Sequence, residues 1–160
     1  MTVRRGQAGR PTIADLDAKP GHLIRRAHQR TAAIFDAATS RHRVTPTQHV
    51  VMTALYTHPG VDQATLASLV ALDKVTVGLL VTRLEGRGLI QREPSNVDRR
   101  ARVLTLTPTG RRRLAAMQSG VRRSQEELLA PLSPAQKKQF FIILRRLVGM
   151  TPPYKKRRHP

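Results

Sequence analysis

The sequence predicts a mainly α chain with one small β-wing: a winged helix-turn-helix flanked by N- and C-terminal dimerisation helices. Three observations predict it. Two short helical patterns, each opened by an aspartate (Asp62 and Asp73), stand either side of a tight break at Ala71-Leu72. An alternating stretch, residues 102–107, follows a Gly86-Arg87-Gly88 stop and a basic, turn-rich segment. A Ser/Thr-Pro helix start occurs at Thr45-Pro46 and Ser133-Pro134, and in part at Thr107-Pro108. There the hydroxyl accepts from an orphan N–H, and proline takes the first turn, where no donor is needed. Gln48 and Gln136 complete capping boxes at the first two.

Taken in order, residues 1–20 mix Gly, Pro and three arginines without periodicity and read as a flexible basic arm. It is either disordered or reaches DNA phosphates or a partner subunit. Residues 21–45 hold the first dimerisation helix, with Leu23, Ala27, Ile34 and Ala38 on one stripe that Ile24 and Phe35 widen. His22, Arg25, Arg26, His28 and Arg30 crowd its early turns, either as a solvated face or as the wall of an anion-binding cleft. Residues 46–110 form the winged region, opened by a helix over 46–57 with Val50, Val51, Ala54 and Leu55 apolar.

The next helix starts at Asp62 and carries Leu66 and Leu69. The one after it starts at Asp73 and runs to Glu85, with Val77, Leu80, Val81 and Leu84 on the stripe a core would take. Its opposite face holds Val75, Gly78, Leu79 and Thr82, flanked by Lys74, Thr76 and Arg83. Hydroxyl, methyl and cationic groups suit the major groove, where bases present acceptors and thymine a methyl. Strands are expected at 89–93 and 102–107, with Asp98, Arg99 and Arg100 at the tip between them. Arginines on a ribbon tip fit a narrow minor groove, and Asp98 can hold one of them in a bidentate pair.

Residues 111–150 carry the C-terminal dimerisation helices. The first, over 108–129, has Leu114, Met117, Val121 and Leu128 at helical spacing. Arg111-Arg112-Arg113 sits at its start, where the helix dipole disfavours cations, a local cost that argues for an external anion. The second, over 134–148, carries Phe140, Phe141, Leu144, Leu147 and Val148, too apolar for a solvated helix. Residues 151–160 are a basic tail.

Composition bounds the function. A formal charge of +19 on 160 residues implies an anionic partner. There is no cysteine, so neither a disulfide nor a thiol switch exists within the chain. No apolar run approaches the roughly 20 residues of a membrane span, and no signal peptide is visible, so a cytoplasmic, nucleoid-associated location is expected. Scarce aromatics weaken a single-strand stacking platform. No nucleophile elbow, phosphate-binding loop, zincin motif or working carboxylate pair appears, so an enzyme, and any cofactor, is not expected. A metal site from His42 and His49 lacks the close paired spacing that metal ligands need.

The run from Val61 to Gly110 resembles the MarR family of bacterial transcription regulators, which are winged helix-turn-helix homodimers. The resemblance rests on Leu72-Asp73 opening the recognition helix and on Leu84-Glu85-x-x-Gly88-Leu89-Ile90 closing it. Asp98-x-Arg100 in the wing and Leu106-Thr107-x-x-Gly110 complete the match. It covers residues 20–148. Lys74-Val75 and Leu79 depart from the commonest family residues, so the operator sequence is not inherited with the fold.

The resemblance implies a repressor that leaves a palindromic operator when a small anionic effector enters a cleft, for which His22, Arg26, Arg30, His49 and Met52 are the candidates. The stretch GHLIRRAHQ is similar to a subgroup controlling catabolism of aromatic acids or their coenzyme A thioesters. Two rivals remain: a nonspecific architectural DNA-binding protein, and a basic module for RNA or anionic membrane.

Overall fold

The computed structural model describes residues 13–95 and 101–150. The order is α1 (Ile13–Asp17), α2 (Pro20–Thr39), a short 3-10 turn (Ser40–His42), α3 (Pro46–Thr57), α4 (Gln63–Val70), α5 (Lys74–Gly86), β1 (Ile90–Pro94), β2 (Arg102–Leu106), α6 (Pro108–Leu129) and α7 (Pro134–Leu147). Part of the expected flexible arm is thus the one-turn helix α1. The arm's first twelve residues and the basic tail lie outside the described residues.

The expected caps fix the helix starts. Thr45 Oγ1 accepts from Gln48 N at 3.3 Å while Gln48 Oε1 accepts from Thr45 N at 3.2 Å, and Ser133 and Gln136 repeat the exchange. Thr107 Oγ1 accepts from Gly110 N at 2.9 Å and donates to the Gly88 carbonyl at 2.7 Å, so one hydroxyl ties the start of α6 to the end of α5. Gly88 takes the left-handed conformation (φ 64°), which glycine adopts without penalty. Leu89 was expected to open the first strand. It instead caps α5, its N–H donating to Leu84 O at 3.0 Å, and pairing begins one residue later, at Ile90 against Leu106.

The winged region holds most of one continuous core, to which α2 adds Phe35 and α6 adds Leu114 and Met117. Val51, Met52, Leu66, Val77, Val81 and Leu84 are each fully buried, with Leu89, Ile90, Leu104 and Leu106 beneath the ribbon. Burying each such side chain contributes about 1.5–3 kcal/mol. Val61 extends the ribbon by bridging Leu104. Gly110 is required because a side chain there would run into the Leu89 carbonyl. That contact explains the glycine four residues after Leu106.

The helices outside this region close less completely. Gly120 lets α6 lie on α2, where a Cβ would stand 2.6 Å from the Ala38 carbonyl oxygen. Ile34 and Phe35 on α2 and Leu114 and Met117 on α6 are buried. One end of the bundle stays open: Leu23, Ile24, Phe141, Ile143 and Leu147 are exposed, and no residue of α7 is buried. Among the described residues no single helix is long and apolar enough to cross a membrane.

Candidate nucleic-acid interface

Asp62 begins the reading unit by accepting from Thr65 N at 2.7 Å, and α4 ends at Ala71, a left-handed residue (φ 53°) whose N–H returns to Ala67 and Ser68. Two residues later Asp73 caps α5, and the two helices turn by 108°. The buried stripe of α5 falls on the expected residues, Val77, Leu80, Val81 and Leu84. Its opposite face is therefore turned outward, with Val75 at 74% and Leu79 at 57% exposure. Lys74, Thr82 and Arg83 are exposed beside them, and Thr76 is half-buried.

The two aspartates flanking this face are not free anions. Hydrogen bonds from Thr65, above all its backbone N–H, hold the Asp62 carboxyl below the usual carboxylate range. For Asp73 the first cause is the Thr76 hydroxyl, which donates to Oδ2 at 2.6 Å, followed by the Thr76 backbone N–H on Oδ1. Capping thus draws both negative charges onto helix N-termini. It also engages the Thr76 hydroxyl inside the chain, so the donor expected to face a base is already committed.

The wing strands leave α5 under control of an ion pair, Arg92 Nη1 to Glu85 Oε2 at 2.7 Å. Ser95 N donates to Ala101 O at 2.9 Å, continuing the ribbon toward its tip. The tip residues expected to enter a minor groove, Asp98, Arg99 and Arg100, lie outside the described residues.

Of the three arginines opening α6, Arg113 corrects the expectation of an external anion. Its Nη1 donates to the His42 carbonyl at 2.6 Å, and Arg87 Nη2 reaches the same oxygen at 3.4 Å. Arg87 Nη1 also touches Gln48 Oε1 at 3.5 Å. The helix end at His42, the capping box of α3 and the start of α6 are thereby braced together. Burial first, then Arg41 and Arg113, pushes the His42 imidazole below its ordinary value. Sequence reasoning missed this brace, although an arginine set between two glycines was a signal.

The five residues expected at an effector cleft separate. His22 and Arg26 both face Asp17, at 3.5 and 3.1 Å, and Arg30 is exposed one turn on. His49 packs on the Phe35 ring, centroids 5.5 Å apart, at a point about 20 Å along α2 from His22 and about 8 Å from Arg30 at 1.5 Å per residue. Met52 contradicts the expectation, since α3 turns it wholly into the winged core and away from any cleft. Grooves occur at two places among the described residues. One, of about 310 Å³, runs between α3 and α4 past His49, Thr53 and Leu69. The other, of about 520 Å³, lies between α2, α6 and α7 past Leu23, His28 and Phe141. Nε2 of His49 is buried without a hydrogen-bond partner among the described residues, and burial pushes the imidazole pKa down. His42 and His49 do not gather into a metal-binding group; no such group occurs among the described residues.

A model of the MarR family matches residues 44–101, from the end of the brace to the ribbon. The HTH-type transcriptional repressor NicR of Pseudomonas putida is 33% identical over 145 residues, which is 86% of this chain and 92% of that protein. The chain belongs to the MarR family. As a MarR-family protein it is a DNA-binding transcription regulator and not an enzyme. Solved structures agree in fold. The PcaV regulator of Streptomyces coelicolor, in complex with its natural ligand, superposes with a TM-score of 0.79 at 33% identity, covering 87% of this chain and 98% of that one. BpsR of Bordetella bronchiseptica, whose DNA binding is regulated by 6-hydroxynicotinic acid, gives 0.78 at 29%, covering 88% and 98%.

Proposed function

We propose that the chain is a homodimeric repressor that reads a pseudo-palindromic operator and leaves it when a small anionic aromatic effector binds. The observation that carries the DNA half is the outward face of α5, with Val75 and Leu79 exposed opposite a fully buried stripe. Lys74, Val75, Leu79, Thr82 and Arg83 are the major-groove contacts, with Thr76 contributing its methyl. Arg99 and Arg100, directed by Asp98, are the minor-groove contacts. A symmetric dimer sets two such helices about one duplex turn apart, roughly 34–36 Å. The exposed apolar end of α2, α6 and α7 is the surface that the second subunit covers.

An aromatic acid or aromatic acyl thioester of coenzyme A is the effector class. Two features favour it: the cationic first turns of α2, where Asp17 now contacts His22 and Arg26, and the unpartnered Nε2 of His49 beside an apolar groove. The relatives lend the same direction, since BpsR responds to a hydroxylated pyridine carboxylic acid and NicR is a repressor.

The test is selection of bound duplexes from a random pool at about 150 mM salt, repeated in a panel of aromatic acids and their coenzyme A thioesters. A palindromic consensus that one compound abolishes is the expected result. Binding without sequence preference would favour an architectural role for the +19 chain instead.

A further inference from the structure

Over its first two turns the reading face of α5 offers the bases no paired donor and acceptor, since Lys74 there is a donor only. Val75 and Leu79 are apolar, Gly78 has no side chain, and the Thr76 hydroxyl donates to Asp73. Exposed methyls can rank thymine above other bases but supply no donor–acceptor pattern, which is what distinguishes all four base pairs in the major groove. Glycine in the middle of a helix also costs about 1 kcal/mol relative to alanine. Something occupies the space it leaves. A Cβ on Gly78 would stand 3.1 Å from Nε2 of Gln63, the first residue of α4. The Gln63 carboxamide therefore packs tightly against the bare edge of α5 at Gly78, closer than it would normally sit to a side chain there.

Its hydrogen bonding fixes its orientation. Nε2 donates to the Lys74 carbonyl at 3.4 Å. That uses one of the two amide protons and tethers the group over the first turn of α5. The second N–H and the Oε1 oxygen remain, and among the described residues Oε1 accepts no hydrogen bond. A donor and an acceptor side by side in one plane match the N7 and N6 edge of adenine. Thymine methyls are the partners for the flanking Val75 and Leu79.

Resting on the operator reading above, we infer that Gln63 is a specificity-determining residue. Lent by α4 across the gap at Gly78, it reads an adenine in each half-site, inside an A·T-rich step contacted by Val75 and Leu79. Gly78 is the positioning residue that admits it.

The experiment is duplex selection with the full chain and three variants, followed by titration of the selected site with each base substituted in turn. Gln63→Ala should lose the preference for adenine at one position per half-site, roughly five- to a hundred-fold, with the thermal midpoint and the preferences elsewhere unchanged. Gly78→Ala, whose methyl pushes the amide aside by a few tenths of an ångström, should weaken the preference at the same position. Gln63→Glu keeps the size but removes the donors and should shift the preference there toward cytosine, whose N4 donates. Unchanged preference at every position in Gln63→Ala, or equal weakening on all sequences, would overturn the inference and leave Gln63 as a tie between two helices. If the wild-type chain selects no sequence at all, the operator reading itself fails; a wild-type consensus that all three variants retain sinks only the role of Gln63.

Discussion

The winged region and the bundle of α2, α6 and α7 are built from similar residues but end in different states. In the first, side chains from α3, α4, α5 and the ribbon meet one another, and Val51, Met52, Leu66, Val77, Val81 and Leu84 are wholly removed from water. In the second, α7 alone carries Phe141, Ile142, Ile143, Leu144 and Leu147 in partly or fully exposed positions, and buries none of its residues. A helix whose apolar face stays wet is not stable by propensity alone, since helices gain most of their stability from packing that face. The difference separates the core that one chain closes from the apolar face that the proposed second subunit would cover.

The largest effect expected tests the self-sufficient half. Gly110→Ala sets a methyl against the Leu89 carbonyl at the seam of α5, the ribbon and α6. It should cost about 3 kcal/mol or more despite the better helix propensity of alanine, read as a lowered denaturation midpoint. Wild-type stability in this variant would show that the seam gives way easily.

Next comes the half left open. Phe141→Asp should leave the midpoint of the winged region nearly unchanged. It should convert the proposed dimer to monomer in sedimentation and weaken operator binding by about a hundredfold or more, because one reading helix then lacks a tethered twin. A variant that stays dimeric would move the interface away from α7.

The smallest effect concerns His49, which sits where the two regions touch. Its pKa is lowered by burial in the folded chain, so the unfolded chain binds more protons as the solution becomes acidic. The stability this neutral imidazole contributes is full above its ordinary value of 6.5 and is lost as pH falls through the lower folded value. His42 acts in the same direction. Thermal midpoints between pH 7 and pH 5 should fall less steeply for His49→Gln than for the wild type. Identical slopes would assign the whole dependence to other groups.

The same division decided what could be read from residues alone. Wherever a start signal and a buried stripe served one chain, the sequence was explicit: Asp73 with Val77, Leu80, Val81 and Leu84, or Thr45 with Gln48. Contacts made across long separations left no local pattern. Nothing near His42 announces that Arg87 and Arg113 converge on its carbonyl, and nothing near Gln63 announces Gly78. Met52 shows the opposite failure, since its place in the chain suggested a cleft while the helical phase of α3 sent it to the core. Leu69, expected as an apolar partner of Leu66, lies 45% exposed beside the groove instead, while Leu66 and Ala67 take the buried positions of α4.

The contact at Gly120 has a mechanical consequence. With the Ala38 carbonyl 2.6 Å from where a Cβ would stand, α2 and α6 have no side-chain cushion between them and cannot slide past one another at that point. The pair acts as a stiff strut, and Arg87 and Arg113, both on the His42 carbonyl, tie its end to the winged region. Since α2 spans 20 residues, about 30 Å at 1.5 Å per residue, a tilt of the whole strut by roughly 10° would carry its far end about 5 Å. That is a large fraction of the width of a DNA groove, reached with no change inside either helix.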